Sequence, residues 1–100
     1  APTRLRDLAI ANHALGRARE SAAALAELER DHGDQRFLIA EARAYRGDRD
    51  GALRLLEAAV ESRDPYLGRI KISWALRPLR DDARYVALLR KMKLPVEPPL

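Results

Sequence analysis

The stretch IAEARAYRGDRDGALRLLEAA, residues 39–59, repeats a pattern of large, small and glycine residues found 31 positions earlier in LAIANHALGRARESAAALAEL, residues 8–28. In both copies apolar residues recur at helical spacing, which predicts an amphipathic helix on each side of the glycine. Gly16 and Gly47 occupy the turn, since glycine readily adopts the left-handed conformation that ends a helix. Each copy is therefore predicted to form a hairpin of two helices.

Small residues occupy the positions at which the two helices of each hairpin are expected to cross. These positions are Ala9 and Ser21 in the first copy and Ala40 and Ala52 in the second. Helix backbones approach closely only where the side chains are small, and larger neighbours then fill the remaining space. One hairpin cannot bury its inner face alone, so the two hairpins are expected to stack.

The sequence as a whole predicts an all-α domain with two helix-turn-helix repeats and a C-terminal helical cap. The repeats span residues 3–33 and 34–64, and the cap spans residues 66–92, so that residues 1–92 form a single domain. The composition agrees, because alanine and leucine are strong helix formers and aromatic residues make up only 5% of the chain. Residues 93–100 form a Pro-rich tail that is predicted not to be helical.

Helix boundaries are predicted from periodicity, capping residues and breakers. The four helices of the repeats are expected at residues 3–16, 18–31, 34–46 and 49–62, and a last helix is expected to end at Lys91. Thr3, Asp34 and Asp82 are the expected N-caps of the first, third and last helices, because their side-chain oxygens can accept hydrogen bonds from first-turn amides. Asp64-Pro65 ends the second repeat, since proline restricts the residue before it.

The repeat pattern resembles the tetratricopeptide repeat, in which the first helix carries a large and a small residue, glycine marks the turn, and small residues recur in the second helix. The second repeat matches this signature at Ile39-Ala40, Gly47, Ala52, Leu56 and Ala59. The first repeat matches at Leu8-Ala9, Gly16, Ser21 and Leu25, and departs at Leu28. Both repeats have Asn12 or Arg43 in place of the family's first-helix aromatic, and the period of 31 is shorter than the usual period of about 34.

The rest of the chain resembles the terminal repeats of bacterial multidomain regulatory proteins. The matching stretches are AYRGD at 44–48, RDP at 63–65, PLR at 78–80, ARY at 83–85 and LLRKM at 88–92. The resemblance implies a module within a larger bacterial protein that acts as a scaffold. Such a module binds other proteins, carries out no catalysis and needs no cofactor.

In the tetratricopeptide family the first helix of each repeat lines a shallow concave groove that holds a peptide or a partner helix. Carried over to this sequence, the groove residues are Arg6, Ile10, His13, Phe37, Glu41 and Tyr45. The Lys and Asn with which some relatives hold a terminal carboxylate are replaced by Arg6 and Ile10, so a carboxylate clamp is not expected. For Phe37 and Tyr45 an alternative stays open, in which they pack against the cap.

Positive charge is concentrated near the C-terminus. Residues 69–93 contain eight Arg or Lys and two Asp, whereas the preceding residues are almost balanced. The basic residues are Arg69, Lys71, Arg77, Arg80, Arg84, Arg90, Lys91 and Lys93. This surface predicts a nucleic acid or an acidic lipid as alternatives to a protein partner, although a solvated surface is the simpler interpretation. Self-association through stacked repeat ends is the other alternative.

Two aromatic residues of the cap, Trp74 and Tyr85, have two possible roles. Both are expected in the core, because the cap is otherwise poor in large side chains. Stacking on nucleic-acid bases is the alternative role. We favour the core role for both residues.

No enzyme class or cofactor is indicated by the sequence. The chain has no cysteine, which excludes disulfides and thiolate metal sites. His13 and His32 stand apart from any metal-ligand motif, and no serine lies in a nucleophile motif. No apolar run is long enough to cross a membrane, and residues 1–4 lack the apolar core of a signal peptide. A cytoplasmic location is expected, and a targeting segment upstream is left open.

Overall fold

The structure, a computed structural model, describes residues 1–92, and every regular element among them is helical. The two hairpins consist of α1 (Pro2–Ala14), α2 (Ala18–Asp31), α3 (Arg36–Tyr45) and α4 (Arg49–Ser62). The cap consists of two 3-10 helices, Pro65–Arg69 and Trp74–Leu79, and of α5 (Ala83–Lys91). The all-α prediction is confirmed, whereas the predicted tail at 93–100, with Lys93, lies outside the described residues.

The central element of the fold is α3. It packs along α4 within its hairpin, against α1 on one side and against the second 3-10 helix of the cap on the other. Most of its residues are buried as a result. Within residues 1–92, no helix combines the length and the apolar character needed to cross a membrane.

The helix crossings follow the predicted small residues. Ala9, Ser21, Ala40 and Ala52 are all fully buried. The Ser21 hydroxyl donates a hydrogen bond of 2.6 Å to the carbonyl oxygen of Ala9, so the polar atom at this crossing is satisfied. The predicted bounds of α2 and α4 are confirmed.

The turn between the helices of each hairpin depends on a left-handed glycine. Gly16 has a φ of 75° and Gly47 a φ of 90°, values that L-residues with a side chain rarely adopt. Both predicted turns are therefore confirmed.

Two of the three predicted N-caps are wrong. Thr3 lies inside α1, which begins at Pro2 after Ala1, because proline suits the first helical position and has no amide hydrogen to cap. Asp34 is exposed in the turn before α3 and caps nothing. Instead, the Asp64 carboxylate accepts a hydrogen bond of 3.1 Å from the Phe37 amide. A first-turn amide of α3 is thus satisfied by a residue at the end of the second repeat, and not by a residue just before the helix. The Asp82 cap of α5 is confirmed, with a 2.9 Å hydrogen bond from the amide at position 84.

The buried apolar residues form two clusters. The stacking cluster lies between the hairpins and contains Ala9, Leu25, Leu28, Ile39 and Ala42. The cap cluster lies between the second hairpin and the cap and contains Phe37, Ala40, Ala44, Ala52, Leu53, Leu56, Ile70, Leu76, Leu79, Tyr85, Leu88 and Leu89. Because half of the cap cluster comes from residues after Asp64, the cap is a third layer of the domain and covers the second hairpin.

Candidate functional site

The six predicted groove residues come from α1 and α3, which pack against each other, and α3 also packs against the second 3-10 helix. Two pairs meet across the boundary between α1 and α3: Arg6 with Glu41, and His13 with Tyr45. Three of the six are buried, namely Ile10, Phe37 and Glu41. Phe37 belongs to the cap cluster, so the cap fills the part of the groove that this residue was expected to line.

A buried carboxylate, that of Glu41, makes hydrogen bonds to both neighbouring layers. Glu41 on α3 is 3% exposed. Its Oε1 accepts a hydrogen bond of 2.6 Å from Arg6 Nη1 on α1, and its Oε2 accepts one of 2.5 Å from the Ser73 hydroxyl in the cap. A buried carboxylate stabilises a fold only when both oxygens are paired, and here they are. Glu41 therefore ties the first hairpin, the second hairpin and the cap together.

The electrostatics of Arg6 match this structural role. Burial by itself lowers the pKa of the Arg6 guanidinium. The hydrogen bonds and charges of Glu41 and Asp7 outweigh that effect, so its pKa lies above the ordinary value and the group stays charged. A charge that is mostly buried and already paired has little left to offer a ligand.

Three rings form what we call the aromatic row: His13, Tyr45 and Trp74. The His13 and Tyr45 ring centroids are 5.7 Å apart with an interplanar angle of 81°. The Tyr45 and Trp74 centroids are 5.4 Å apart at 88°. Both contacts have the edge-to-face geometry that aromatic rings prefer. The row thus crosses all three layers, from α1 over α3 to the cap.

The expectation that Trp74 belongs to the core of the cap is wrong, since its side chain is 58% exposed. The cap core is filled instead by aliphatic side chains and by Tyr85, for which the prediction is confirmed. Burial raises the pKa of the Tyr85 hydroxyl, which donates a 3.2 Å hydrogen bond to the carbonyl oxygen of Ile70. Neither Trp74 nor Ser73 was predicted to lie beside the groove residues. The groove residues were assigned from the first helix of each repeat, and the cap does not contain such a repeat.

Arg43, which stands where the tetratricopeptide signature has an aromatic residue, forms ion pairs with two carboxylates. Its guanidinium makes two hydrogen bonds to the Glu29 carboxylate on α2 and one of 2.6 Å to Asp48 Oδ2. Burial by itself lowers the pKa of the Arg43 guanidinium. The hydrogen bonds and charges of Glu29 and Asp48 outweigh this effect, so the pKa lies above its ordinary value and the group stays charged. Arg43 therefore links the two hairpins on the side away from the aromatic row.

The basic residues of the C-terminal region differ in exposure and in their ion pairs. Arg69, Arg77, Arg80, Arg90 and Lys91 are exposed, and Lys71 is half-buried. Arg84 forms salt bridges of 2.8 Å with Asp50 and 3.0 Å with Asp82, which compensate its charge. Arg84 and Lys91 also line an open depression of about 360 Å³ together with Glu57 and Glu61, so α5 faces acidic side chains of α4.

Comparison with protein-family models, with curated proteins and with solved structures gives no match to this chain. The resemblance to tetratricopeptide repeats therefore stays a prediction. Within residues 1–92, no three His, Asp or Glu side chains group together in a way that could hold a metal ion.

Proposed function

We propose that this chain is a tetratricopeptide-like, non-catalytic interaction module that docks an extended segment of a partner protein on the aromatic row. Three features support the repeat assignment. The hairpins cross at small residues, they turn at left-handed glycines, and α1 lies beside α3 as the first helices of successive repeats do. This arrangement suits a scaffold that presents one side of its first helices to a partner.

The observation that carries the binding proposal is the exposure of Trp74 within the aromatic row. Tryptophan is the residue most enriched at binding hot spots, where it supplies a large contact area at a low cost in side-chain entropy. Here the indole contacts the Tyr45 ring edge to face, and the Tyr45 ring contacts His13 in the same way. The row is therefore a preorganised platform, and the buried Glu41 carboxylate connects the same three layers through Arg6 and Ser73.

The charge beside the row favours an acidic partner segment. Residues three apart in a 3-10 helix share one face, so Arg77 lies on the same face as Trp74, and it is exposed. Proline and aromatic side chains are the groups that dock best on exposed aromatic rings. The preferred ligand is accordingly an extended peptide with a proline or aromatic residue next to acidic residues.

A peptide selection tests this proposal. Random dodecapeptides displayed on phage are selected against the chain, and the enriched peptides are titrated by fluorescence anisotropy. Trp74→Ala is expected to weaken binding about thirtyfold, since loss of an anchoring tryptophan costs about 2 kcal/mol. The matched control is Ile72→Ala, because Ile72 is 76% exposed nearby in the cap but does not belong to the row.

Two results would contradict the proposal. One is the failure of any peptide to be enriched over an unrelated helical protein. The other is equal affinity of the enriched peptides for the wild type and for Trp74→Ala.

A single-stranded oligonucleotide serves as the comparison for nucleic-acid binding. If the oligonucleotide binds more tightly than the peptides, with an affinity that falls steeply with salt and does not depend on Trp74, the basic surface is the better candidate.

A further inference from the structure

The turn between the two 3-10 helices of the cap presents two apolar side chains to solvent. Ile72 is 76% exposed, the highest fraction among the large apolar side chains of residues 1–92, and Trp74 is 58% exposed. Ser73 between them has an extended backbone, in which successive side chains point to opposite sides. Because the Ser73 side chain is buried, Ile72 and Trp74 both point outwards. We call these two side chains the cap tip.

The turn that carries the cap tip is held from both sides. Ile70 before it is buried in the cap cluster, and the buried Ser73 hydroxyl donates its 2.5 Å hydrogen bond to Glu41 on α3. The amides of Ile72 and Ser73 donate hydrogen bonds of 3.1 and 2.9 Å to the carbonyl oxygen of Arg69. The exposure of the cap tip is therefore a property of an anchored turn, and little conformational entropy is lost when the tip binds a partner.

Positive charge lies next to the cap tip. Residues three apart in a 3-10 helix share one face, so Arg77, and Arg80 just after the helix, line up with Trp74. Both arginines are exposed, as is Arg69 at the other end of the turn. None of the three takes part in the ion pairs formed among residues 1–92. Residues 65–80 contain no Asp or Glu, so the segment around the cap tip contributes no carboxylate.

We propose that the cap tip inserts into the surface of an anionic lipid bilayer. Ile72 enters the outer acyl chains, where an aliphatic side chain gains the free energy of leaving water. The Trp74 indole lies at the level of the headgroups, the position that tryptophan prefers because it combines an apolar ring with an N–H donor. Arg77 and Arg80 donate hydrogen bonds to lipid phosphates, which guanidinium groups match in geometry and charge.

A lipid surface suits all of these groups at once. A nucleic acid offers phosphates for the arginines and bases on which Trp74 can stack, but it has no apolar interior for Ile72. A protein partner that covered Ile72 would need an apolar pocket flanked by several carboxylates. An anionic bilayer presents an apolar interior beneath negative headgroups everywhere along its surface.

The inference goes beyond the proposed function and can be tested separately from it. The peptide of the proposed function docks on the aromatic row, to which Ile72 does not belong. Trp74 belongs to both surfaces, so a bound peptide and a bilayer are expected to exclude each other. Loss of Ile72 is therefore expected to affect the bilayer and not the peptide.

The size of each contribution follows from general transfer and charge effects. An arginine close to an anionic membrane strengthens binding about fivefold, so loss of Arg77 and Arg80 together is expected to weaken it about twenty-five-fold. Each methylene moved from water into the acyl chains contributes about fourfold, and Ile72→Ala removes three carbon atoms. For a tip that enters only part of the way, the expected loss is about tenfold.

Titration of the full chain with vesicles, followed by tryptophan fluorescence, tests the inference. Trp74 is the only tryptophan of the chain, so the tryptophan emission reports on the cap tip. Vesicles of phosphatidylcholine mixed with phosphatidylserine are expected to shift the emission to shorter wavelength, and lipids with brominated acyl chains are expected to quench it. Vesicles of phosphatidylcholine alone should cause little change, and added salt should weaken the binding to anionic vesicles.

Two variants and a control identify the side chains that bind. Ile72→Ala is expected to weaken binding to the anionic vesicles about tenfold, and Arg77→Gln combined with Arg80→Gln about twenty-five-fold. Leu15→Ala is the matched control and should bind as the wild type does, because Leu15 is 65% exposed and lies outside the cap. All four side chains are exposed, so the circular dichroism spectra should be unchanged.

Three outcomes would overturn the proposal. Anionic vesicles leave the Trp74 emission unchanged. The affinity does not differ between vesicles with and without phosphatidylserine. Or Ile72→Ala binds the vesicles as tightly as the wild type does, and an oligonucleotide binds more tightly still, which would assign the arginines to a nucleic acid. None of these results contradicts the peptide proposal, which is tested with Trp74→Ala and has Ile72→Ala as its own control.

Discussion

Replacing Glu41 by alanine is expected to lower the free energy of unfolding by about 3 kcal/mol, because this carboxylate connects all three layers. It receives hydrogen bonds from Arg6 at 2.6 Å and from the Ser73 hydroxyl at 2.5 Å, and it is almost fully buried. No other carboxylate described here contacts both α1 and the cap.

The magnitude follows from these contacts. A hydrogen bond to a charged group contributes about 1.5–3 kcal/mol, and two of them are lost. The substitution also removes the cost of burying the carboxylate, which offsets part of that loss. Arg6 keeps its contact with Asp7 at 2.9 Å, so its charge is not left without any partner. The net effect therefore lies at the lower end of the roughly 3–5 kcal/mol that follows removal of one member of a buried ion pair.

Urea denaturation followed by far-UV circular dichroism measures this change. Glu57→Ala is the matched control, since Glu57 is an exposed residue on α4, and its loss is expected to change stability by less than about 0.5 kcal/mol. Glu41→Gln keeps the shape and one acceptor oxygen, so its effect should lie between the other two. In a domain of this size, a loss of about 3 kcal/mol lowers Tm by more than about 10 °C.

If Glu41→Ala destabilises the chain no more than Glu57→Ala does, the carboxylate does not hold the layers together. A double-mutant cycle with Ser73→Ala adds a second check, because residues in one network show a coupling energy, whereas independent residues give additive effects. An additive result would refute the role assigned to the contact between Glu41 and the cap.

Three further predictions concern the rest of the fold. A chain ending at Asp64 is expected to be unfolded by circular dichroism, because it loses half of the cap cluster; cooperative unfolding of a helical fragment would contradict this. Arg63→Gly should raise the free energy of unfolding by about 1 kcal/mol in urea denaturation, since Arg63 has a left-handed φ of 54°, and an unchanged value would count against the strain. Hydrogen bonds from the amide at position 51 and from Arg43 hold the pKa of Asp48 below its usual range, so its charge stabilises the fold at neutral pH and this contribution disappears as the pH falls below about 4. The stability difference between the wild type and Asp48→Asn should shrink over the same acidic range, and a constant difference would refute the assignment.

The repeats could be predicted in detail because their determinants are local. Periodic apolar residues, with a helix-breaking residue at each end, define α2 and α4. The turn before each of these helices needs a residue with a left-handed backbone conformation, and Gly16 and Gly47 adopt it. The crossings at Ala9 and Ser21 follow from residue size alone. Physical constraints of this kind act within one hairpin and can be read from sequence spacing.

The cap and the site depend on contacts between distant residues, which spacing does not reveal. The amide of Phe37 is satisfied by Asp64, 27 positions away, and not by the nearby Asp34. The cap folds back on α3 through short 3-10 helices that have no extended periodicity. For that reason the spacing left two possibilities open for Phe37, and it did not show that Glu41 is covered or that Trp74 is exposed beside Tyr45.

An NMR titration with a selected peptide locates the surface of the chain that receives a partner. If the partner docks on the aromatic row, the largest shifts occur at the indole N–H of Trp74 and at the signals of Tyr45 and His13, and α5 is little affected. Shifts centred on α5 and its exposed Arg90 and Lys91, with the Trp74 indole unchanged, would contradict it.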